Sequence, residues 1–293
     1  MEVGVTVFTP TYNRGYTLER LYHSLCRQTN EQFEWLIIDD GSTDNTAEIV
    51  NKWKLENKIK IRYFYQINSG KAQAHNLAIK KAEKALFTCV DSDDYLVDNA
   101  LEVILEKWRG SNEIIGMLFA RGYSDGSRIT KLKRTGIVSS LRRAYRNSEL
   151  SGDTMLIYDT KILSQFMFPQ IEGEKFIPEA YLYDLMDQIG NIQMFDNILY
   201  IGEYLEDGYT YSIRRVIAEN PNGYEIFIKQ RLVLESTFQE RIFDIIRYVA
   251  IKYTKKDSKI INDSPFPLLT LLLYPFGLVF YYRYYHKYSR RND

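Results

Sequence analysis

Over residues 3 to 110 the chain alternates short, unbroken apolar runs with stretches of helical periodicity, and few folds accept that rhythm. "VGVTVFT" (3–9) is rich in β-branched residues and stops at Pro10, which predicts a buried strand. Leu18, Leu21, Tyr22 and Leu25 then fall at i, i+3, i+4 and i+7, one face of a helix. "WLIID" (35–39) predicts the next strand, and "GSTDNT" supplies capping residues for a helix reaching about Lys54. "IKIRYFYQ" (59–66), "GKAQAHNLAIKKA" and "ALFTCVD" predict a third strand, a third helix and a fourth strand. Leu101, Ile104, Leu105 and Trp108 close the series with another helical stripe. Strands this apolar, each followed by a helix, predict an α/β fold with a mainly parallel sheet covered on both faces.

In such a sheet, ligands bind beyond the carboxyl ends of the strands. The polar motifs of this chain stand there: "TPTYNR", "DDGSTD", "NSGK" and "DSDD". The last places Asp91, Asp93 and Asp94 within four residues. Like charges that close repel unless a cation or a hydrogen-bonded ligand sits among them. A hard divalent ion, Mn²⁺ or Mg²⁺, takes one or two carboxylates together with phosphate oxygens. Asp is also a good helix cap, and that is the role expected for Asp94. Gly70 and Lys71 open a helix whose N-terminus favours anions, which makes Lys71 a candidate contact for an anionic group such as a diphosphate.

The formal net charge of +0 provides no global field for nucleic acid. Cys26 and Cys89 lie in apolar contexts and read as reduced packing residues of a cytoplasmic protein. The opening "MEVGVTVFTP" lacks the basic and long apolar segments of a signal peptide. Later regions are less regular. "EIIGMLFA" (113–120), "TMLIYD" (154–159) and "IQMFDNILYIGEYL" (192–205) predict strands, and "SRITKLKRTG" a polar hairpin or loop. "IPEAYLYDLMDQIG" (177–190) predicts a helix, as does a long stretch from Asn222 to Lys256 carrying Ile242, Ile245, Ile246 and Val249 on one face.

The four polar motifs, in this order and spacing, resemble the N-terminal pattern of family 2 glycosyltransferases of the GT-A fold, over roughly residues 3 to 110. The resemblance implies a Rossmann-like nucleotide-binding half and a nucleoside-diphosphate-sugar donor, expected to be a UDP-sugar. "CVDSDD" looks like the family's DxD motif. By that likeness Asp93 holds the metal, Asp91 contacts the ribose or the metal's shell, and Ser92 lies between them on the donor. Asp39 or Asp40 would accept from a base N–H. Thr9, Pro10, Tyr12 and Arg14 would form the opposite wall, with Tyr12 on the base and Arg14 near phosphate. The family's third motif has Arg where this chain has His75, so the role of that position stays open between packing and function.

Family members typically invert at the anomeric carbon with a carboxylate base in an "ED"-like motif. The corresponding "GEKFIPEAYLYD" (173–184) reads "EA", which makes Glu179 the first candidate base and Asp184 the second. The expected activity is metal-dependent, inverting sugar transfer to a glycan or lipid-linked acceptor in cell-surface polysaccharide synthesis. Two alternatives stand beside it: a silent sugar-nucleotide-binding subunit and a sugar-phosphate nucleotidyltransferase. The latter's Gly-rich first loop is not what "TPTYNRG" offers.

Within the C-terminal "SPFPLLTLLLYPFGLVFYYRYYHKYSRR" the apolar run from Pro265 to Tyr282 is near the lower limit for spanning a bilayer, and Pro267, Pro275 and Gly277 interrupt it. Tyrosines mixed with Arg283, Lys287, Arg290 and Arg291 suit a membrane interface on the cytoplasmic side. Residues 265–291 are therefore expected to make peripheral membrane contact, with packed helices as the alternative. The expected organisation is a GT-A domain over 1–215, a helical extension over 216–263 and this tail over 264–293.

Overall fold

Four parallel strands open the fold. In the computed structural model, which describes residues 1–111, 113–202 and 209–289, β1 (Glu2–Thr11), β2 (Phe33–Asp39), β3 (Ile61–Tyr65) and β4 (Lys84–Cys89) lie in the order β3-β2-β1-β4. The connecting helices are α1 (Gly15–Cys26), α2 (Thr46–Glu56) and α3 (Lys71–Lys81). The α1 stripe is buried to the last residue: Leu18, Leu21, Tyr22 and Leu25 are at most 1% exposed. Tyr22 stacks on Trp53 of α2, ring centroids 4.4 Å apart, and on Trp35 of β2. β1 runs past Pro10 to Thr11 rather than stopping at the proline. Pro10 still faces Ile38 of β2, but the β4 ladder ends at Phe8–Cys89. A proline is tolerated where only one side of the strand is still paired.

Next come β5 (Tyr95–Leu96), α4 (Ala100–Lys107), β6 (Ile114–Gly122), β7 (Lys131–Leu132) and β8 (Ile137–Ser139). They are followed by α5 (Leu141–Arg146), β9 (Leu150–Ser151), β10 (Thr154–Asp159), α6 (Thr160–Leu163), α7 (Ala180–Met186) and β11 (Asn191–Ile201). β10 inserts antiparallel between β4 and β6, and β11 runs parallel to β6. β5 and β8 pair antiparallel with β11, and β7 pairs with β9 in a separate ribbon. The result is an α/β fold with a largely parallel central sheet flanked by helices. The predicted helix over 177–190 is shorter, Ala180–Met186. "IQMFDNILYIGEYL" forms one strand to Ile201, and its last three residues lie outside the described residues.

Contacts divide the chain into two compact units: Met1–Phe168 with Leu182–Glu203, and Pro169–Tyr181 with Tyr204–Asp293. The second unit carries α8 (Tyr209–Glu219), α9 (Pro221–Val233), α10 (Phe238–Thr254), α11 (Pro267–Tyr284) and α12 (His286–Ser289). The long helical stretch expected from Asn222 to Lys256 is thus two helices. The break falls before Thr237, whose hydroxyl accepts from Glu240 N–H while the Glu240 carboxylate accepts from Thr237 N–H. That reciprocal cap starts a new helix.

α10 and α11 lie side by side and run in the same direction. Arg241 sits over the Phe266 ring, Gly277 packs against Val249, and Tyr253 meets Tyr281 edge-on. At the end of α10, Lys252 is 1% exposed and is answered by Asp257 at 2.5 Å, Asp263 at 2.9 Å and Glu225 at 3.6 Å. Such pairing is what lets an ammonium stay charged in the interior. Among the described residues no helix is long and apolar enough to cross a membrane.

Candidate active site

Because β1 to β4 are parallel, their carboxyl ends share one edge of the first unit, with Thr11 in register with Asp39 and Asp39 with Tyr65. The loops leaving that edge are stitched to one another. Asn13, in the left-handed region at φ 53°, accepts through Oδ1 from the N–H groups of Thr43 and Asp44, and its own N–H donates to Ser42 Oγ. Asp44 Oδ2 accepts from Gly15 N–H, while Oδ1 accepts from Thr46 N–H and hydroxyl. Burial alone would raise the Asp44 carboxyl, but those hydrogen bonds hold it below its ordinary value. Neither Asn13 nor Asp44 was singled out from the sequence, although "NRG" and "STDNT" carry the turn and cap chemistry both perform.

Asp39 and Asp40 are both buried and both engaged. Asp39 accepts from Tyr63 hydroxyl at 2.5 Å and from Ser42 N–H at 2.7 Å. Asp40 accepts from Gln66 Nε2, Ser69 N–H and Gly70 N–H at 2.6–2.8 Å, which fastens the "NSGK" loop to the end of β2. Gly41 between the two loops has φ +89°, and a Cβ there would stand 2.8 Å from Asn68 N, so only glycine fits. Thr9 is wholly buried, and its hydroxyl accepts from the Trp35 indole. Pro10 is half-buried, Tyr12 is exposed, and Arg14 donates to Tyr16 hydroxyl at 2.6 Å.

The Asp91–Asp94 segment is a tight turn closed by Asp94 N–H donating to Asp91 C=O. Its conformation is set from the far side of the sheet. Tyr200 hydroxyl accepts from Asp91 N–H at 3.0 Å and donates to Asp94 Oδ2 at 2.6 Å. Arg121 donates to the same carboxylate at 2.8 Å and lies 4.1 Å from the Tyr200 ring centroid. Gly202 closes the cluster, since a Cβ there would meet Arg121 Nη2 at 2.5 Å. Asp94 therefore does not cap the next helix, as its residue type suggested; Asn99 stands at the N-cap of α4. A buried carboxylate beside an arginine and a phenol finds better partners there than an exposed helix end offers. Burial pushes its carboxyl up to about 7, against the pull of Arg121.

Asp91 is held otherwise. Lys71, at the start of α3, reaches across the edge to Asp91 Oδ1 at 2.6 Å. Burial would raise this carboxyl, but the Lys71 ammonium, by charge and by hydrogen bond, brings it below its ordinary value. Asp93 is raised instead: burial first, then the charge of Asp91, outweigh the pull of Arg14 and Lys71. Ser92 between them is buried. The Lys71 ammonium is thus a stand-in cation at a carboxylate pair that repels itself. Among the described residues no three His, Cys, Asp or Glu side chains converge on one point. Two carboxylates completed by phosphate oxygens and water are what Mg²⁺ or Mn²⁺ accepts, so the pair fits an ion that arrives with a diphosphate.

A family profile, "Glycosyl transferase family 2", matches residues 6–171, more than half of the chain. This chain is a family 2 glycosyltransferase. It is 25% identical over 210 residues to the glycosyltransferase GlyG of Streptococcus pneumoniae, a match covering 67% of this chain and 69% of GlyG. Its fold is that of the GT-A enzymes. The structure of S. aureus TarS residues 1–349 in complex with UDP aligns with TM-score 0.59 and 21% identity, covering 100% of this chain and 92% of that one. The mannosyltransferase PcManGT of Pyrobaculum calidifontis, in complex with GDP-Man and Mn²⁺, aligns with TM-score 0.56 and 17% identity, covering 99% and 84%.

Within this family 2 chain, β1, β2 and β4 together with the start of α3 bring Pro10, Tyr12, Asp39, Asp40, Gly70, Lys71, Asp91, Ser92 and Asp93 to one edge of the first unit. The two candidate bases belong to different units: half-buried Glu179 to the second, buried Asp184 to the first, on α7. His75 is 4% exposed among the rings of Phe8, Phe87 and Phe168, at 5.3–5.5 Å. It fills the core behind α3 rather than facing the edge where the polar loops gather.

Proposed function

We propose that this glycosyltransferase moves a sugar from a nucleoside-diphosphate sugar, a UDP-sugar first, to a glycan or lipid-linked acceptor, with inversion and with Mn²⁺ or Mg²⁺ as cofactor. The observation that carries the reading is the Asp91–Asp93 turn beside Lys71, at the carboxyl edge of a GT-A sheet. TarS bound to UDP and PcManGT bound to GDP-Man and Mn²⁺ support a donor of this class. The base is assigned to Asp39 or Asp40, whose oxygens accept two and three hydrogen bonds respectively of about four that a carboxylate can take. Pro10 and Tyr12 wall the base, and Thr9 supports that wall from within the core.

Asp93 and Asp91 would hold the ion, which supplies Lewis-acid stabilisation of the leaving diphosphate. Lys71 and the N-terminus of α3 bind negative charge on the same phosphates, with Arg14 near them. A carboxylate, Glu179 first and Asp184 second, takes the proton of the acceptor hydroxyl as its oxygen attacks the anomeric carbon. Attack opposite the departing diphosphate inverts that centre. Residues 265–291 are proposed to bring the enzyme to the cytoplasmic face of a membrane, where cell-surface polysaccharide precursors are assembled.

The test is a panel of nucleotide sugars incubated with the full chain, with Mn²⁺, with Mg²⁺ and with chelator. Release of nucleoside diphosphate that stops on chelation is expected, with UDP-sugars preferred. Release of pyrophosphate from a sugar phosphate and a nucleoside triphosphate would mean a nucleotidyltransferase. Nucleotide binding with no turnover over a broad donor and acceptor panel would mean a silent subunit.

A further inference from the structure

α11 has two apolar faces, and only one of them is covered. Thr270, Leu273, Gly277 and Tyr281, spaced at i, i+3, i+7 and i+11, are buried in the second unit, Gly277 packing against Val249 of α10. On the opposite side Leu268, Leu271, Leu272, Phe276, Val279 and Tyr282 are each 57–86% exposed. At 100° per residue these six form one stripe along the whole helix, which at 18 residues is about 27 Å long. No charged residue interrupts it. A monomeric soluble protein scatters its exposed apolar residues; a continuous stripe marks a surface that meets something apolar.

We infer that this face of α11 lies in the plane of an anionic phospholipid bilayer, with the helix parallel to the surface. α11 does not cross the membrane, because no described helix is long and apolar enough to do so and its other face is taken by α10. The charge pattern selects the occupant. Residues 264–291 contain no Asp or Glu, whereas Arg283 and Lys287 stand exposed where the stripe ends. A second copy packed through the same segment would bring the same positive charge and, over residues 264–291, no carboxylate to pair with it. Anionic headgroups pair with it directly. Exposed Tyr282 and half-buried Tyr284 and Tyr288 sit at that same end, where amphipathic rings suit the headgroup level. An apolar face, a basic end and a rigid partner helix together make an interfacial anchor. The delivery of a lipid-borne acceptor rests on the transfer reading; the docking itself does not.

The experiment is cosedimentation of the full chain with vesicles of phosphatidylcholine alone and with about 30% phosphatidylserine, alongside sedimentation velocity without lipid. The wild type is expected to bind the mixed vesicles, less tightly as salt rises but not to zero, since the apolar contact is not screened. The triple variant L268S/L272S/V279S should bind at least about tenfold more weakly on both compositions. The double variant R283Q/K287Q should lose about tenfold on the anionic vesicles alone. All substitutions are at exposed positions, and UDP binding measured on the same samples separates loss of docking from loss of fold or of the nucleotide site. A Leu272→Trp variant adds an independent reading, with an emission blue shift on vesicle addition. The inference is overturned if the wild type stays in the supernatant, or if the triple variant sediments like it. It is equally overturned if the wild type is a dimer that the triple variant dissolves while neither binds vesicles.

Discussion

The Tyr200 hydroxyl donates to Asp94 Oδ2 at 2.6 Å while accepting from Asp91 N–H at 3.0 Å, so one phenol from β11 grips both ends of the Asp91–Asp94 turn. Neither partner is replaceable by water, because Tyr200 and Asp94 are 2% and 3% exposed. Tyr200→Phe would leave a buried carboxylate oxygen and the Asp91 N–H each short of a partner. That costs about 1–3 kcal/mol, visible as a lowered midpoint in urea unfolding. The turn should also lose its fixed shape, so binding of UDP with Mn²⁺ should weaken more than binding of UDP alone. Equal weakening of both in calorimetry would assign Tyr200 to stability and not to the placement of the acidic turn.

Asp93→Asn isolates the carboxylate that burial and the charge of Asp91 raise against the weaker pull of Arg14 and Lys71. Asn keeps the volume and removes the anionic ligand, so UDP binding by the variant should no longer respond to Mn²⁺ or Mg²⁺. Lys71→Met works in the other direction. It removes the ammonium 2.6 Å from Asp91, which should raise the metal response and weaken nucleotide binding in the absence of metal. Titration calorimetry with and without chelator decides both, and an unchanged metal response in Asp93→Asn would remove the ion from this turn.

His75 makes a prediction about acid. Burial, with Lys71's charge adding to it, lowers the ring to about 3. The unfolded chain takes up a proton near the ordinary imidazole value of about 6.5, while the folded one stays neutral. Stability from this group is therefore complete above about pH 6.5 and is lost as pH falls toward 3, at about 1.4 kcal/mol per pH unit. His75→Phe joins the rings of Phe8, Phe87 and Phe168 and cannot titrate. Between pH 7 and 5 the wild type should lose about 2 kcal/mol more than the variant in urea unfolding. Parallel losses would mean that the imidazole is reached by solvent.

What the sequence revealed and what it hid divide along sequence distance. The apolar runs of β1 to β4 and the α1 stripe are local signals, and each element forms where its pattern put it, with strand ends shifted by a residue or two as where β1 runs on to Thr11. The polar loops at the carboxyl edge follow from strand direction alone. Asp94, by contrast, takes its partners from Arg121 and Tyr200, which are 27 and 106 residues away. No local pattern connects them, so its cap propensity was the only available reading. The antiparallel insertion of β10 between β4 and β6 is hidden for the same reason: "TMLIYD" is apolar enough for any central position. The break before Thr237 was different. T-x-x-E at Thr237–Glu240 spelled out a helix start inside an otherwise continuous apolar period, and the period masked it.

The base is the last question that a substitution can decide. Glu179 directly precedes α7 after Pro178, and Asp184 lies within that helix, 5% exposed. If Glu179 is the base, Glu179→Gln should leave UDP binding unchanged and cut transfer by roughly 10²-fold or more, the usual scale for a lost proton acceptor. Its effect should fall on kcat more than on KM, and the acidic limb of the pH–rate profile should disappear. Asp184→Asn should then alter stability without removing that limb. A variant that merely lost a helix-terminal charge would show a changed unfolding midpoint and an intact profile. If Asp184→Asn removes the acidic limb while Glu179→Gln keeps activity within a few-fold, the proton is taken by the first unit's own carboxylate and the order of the two candidates is reversed.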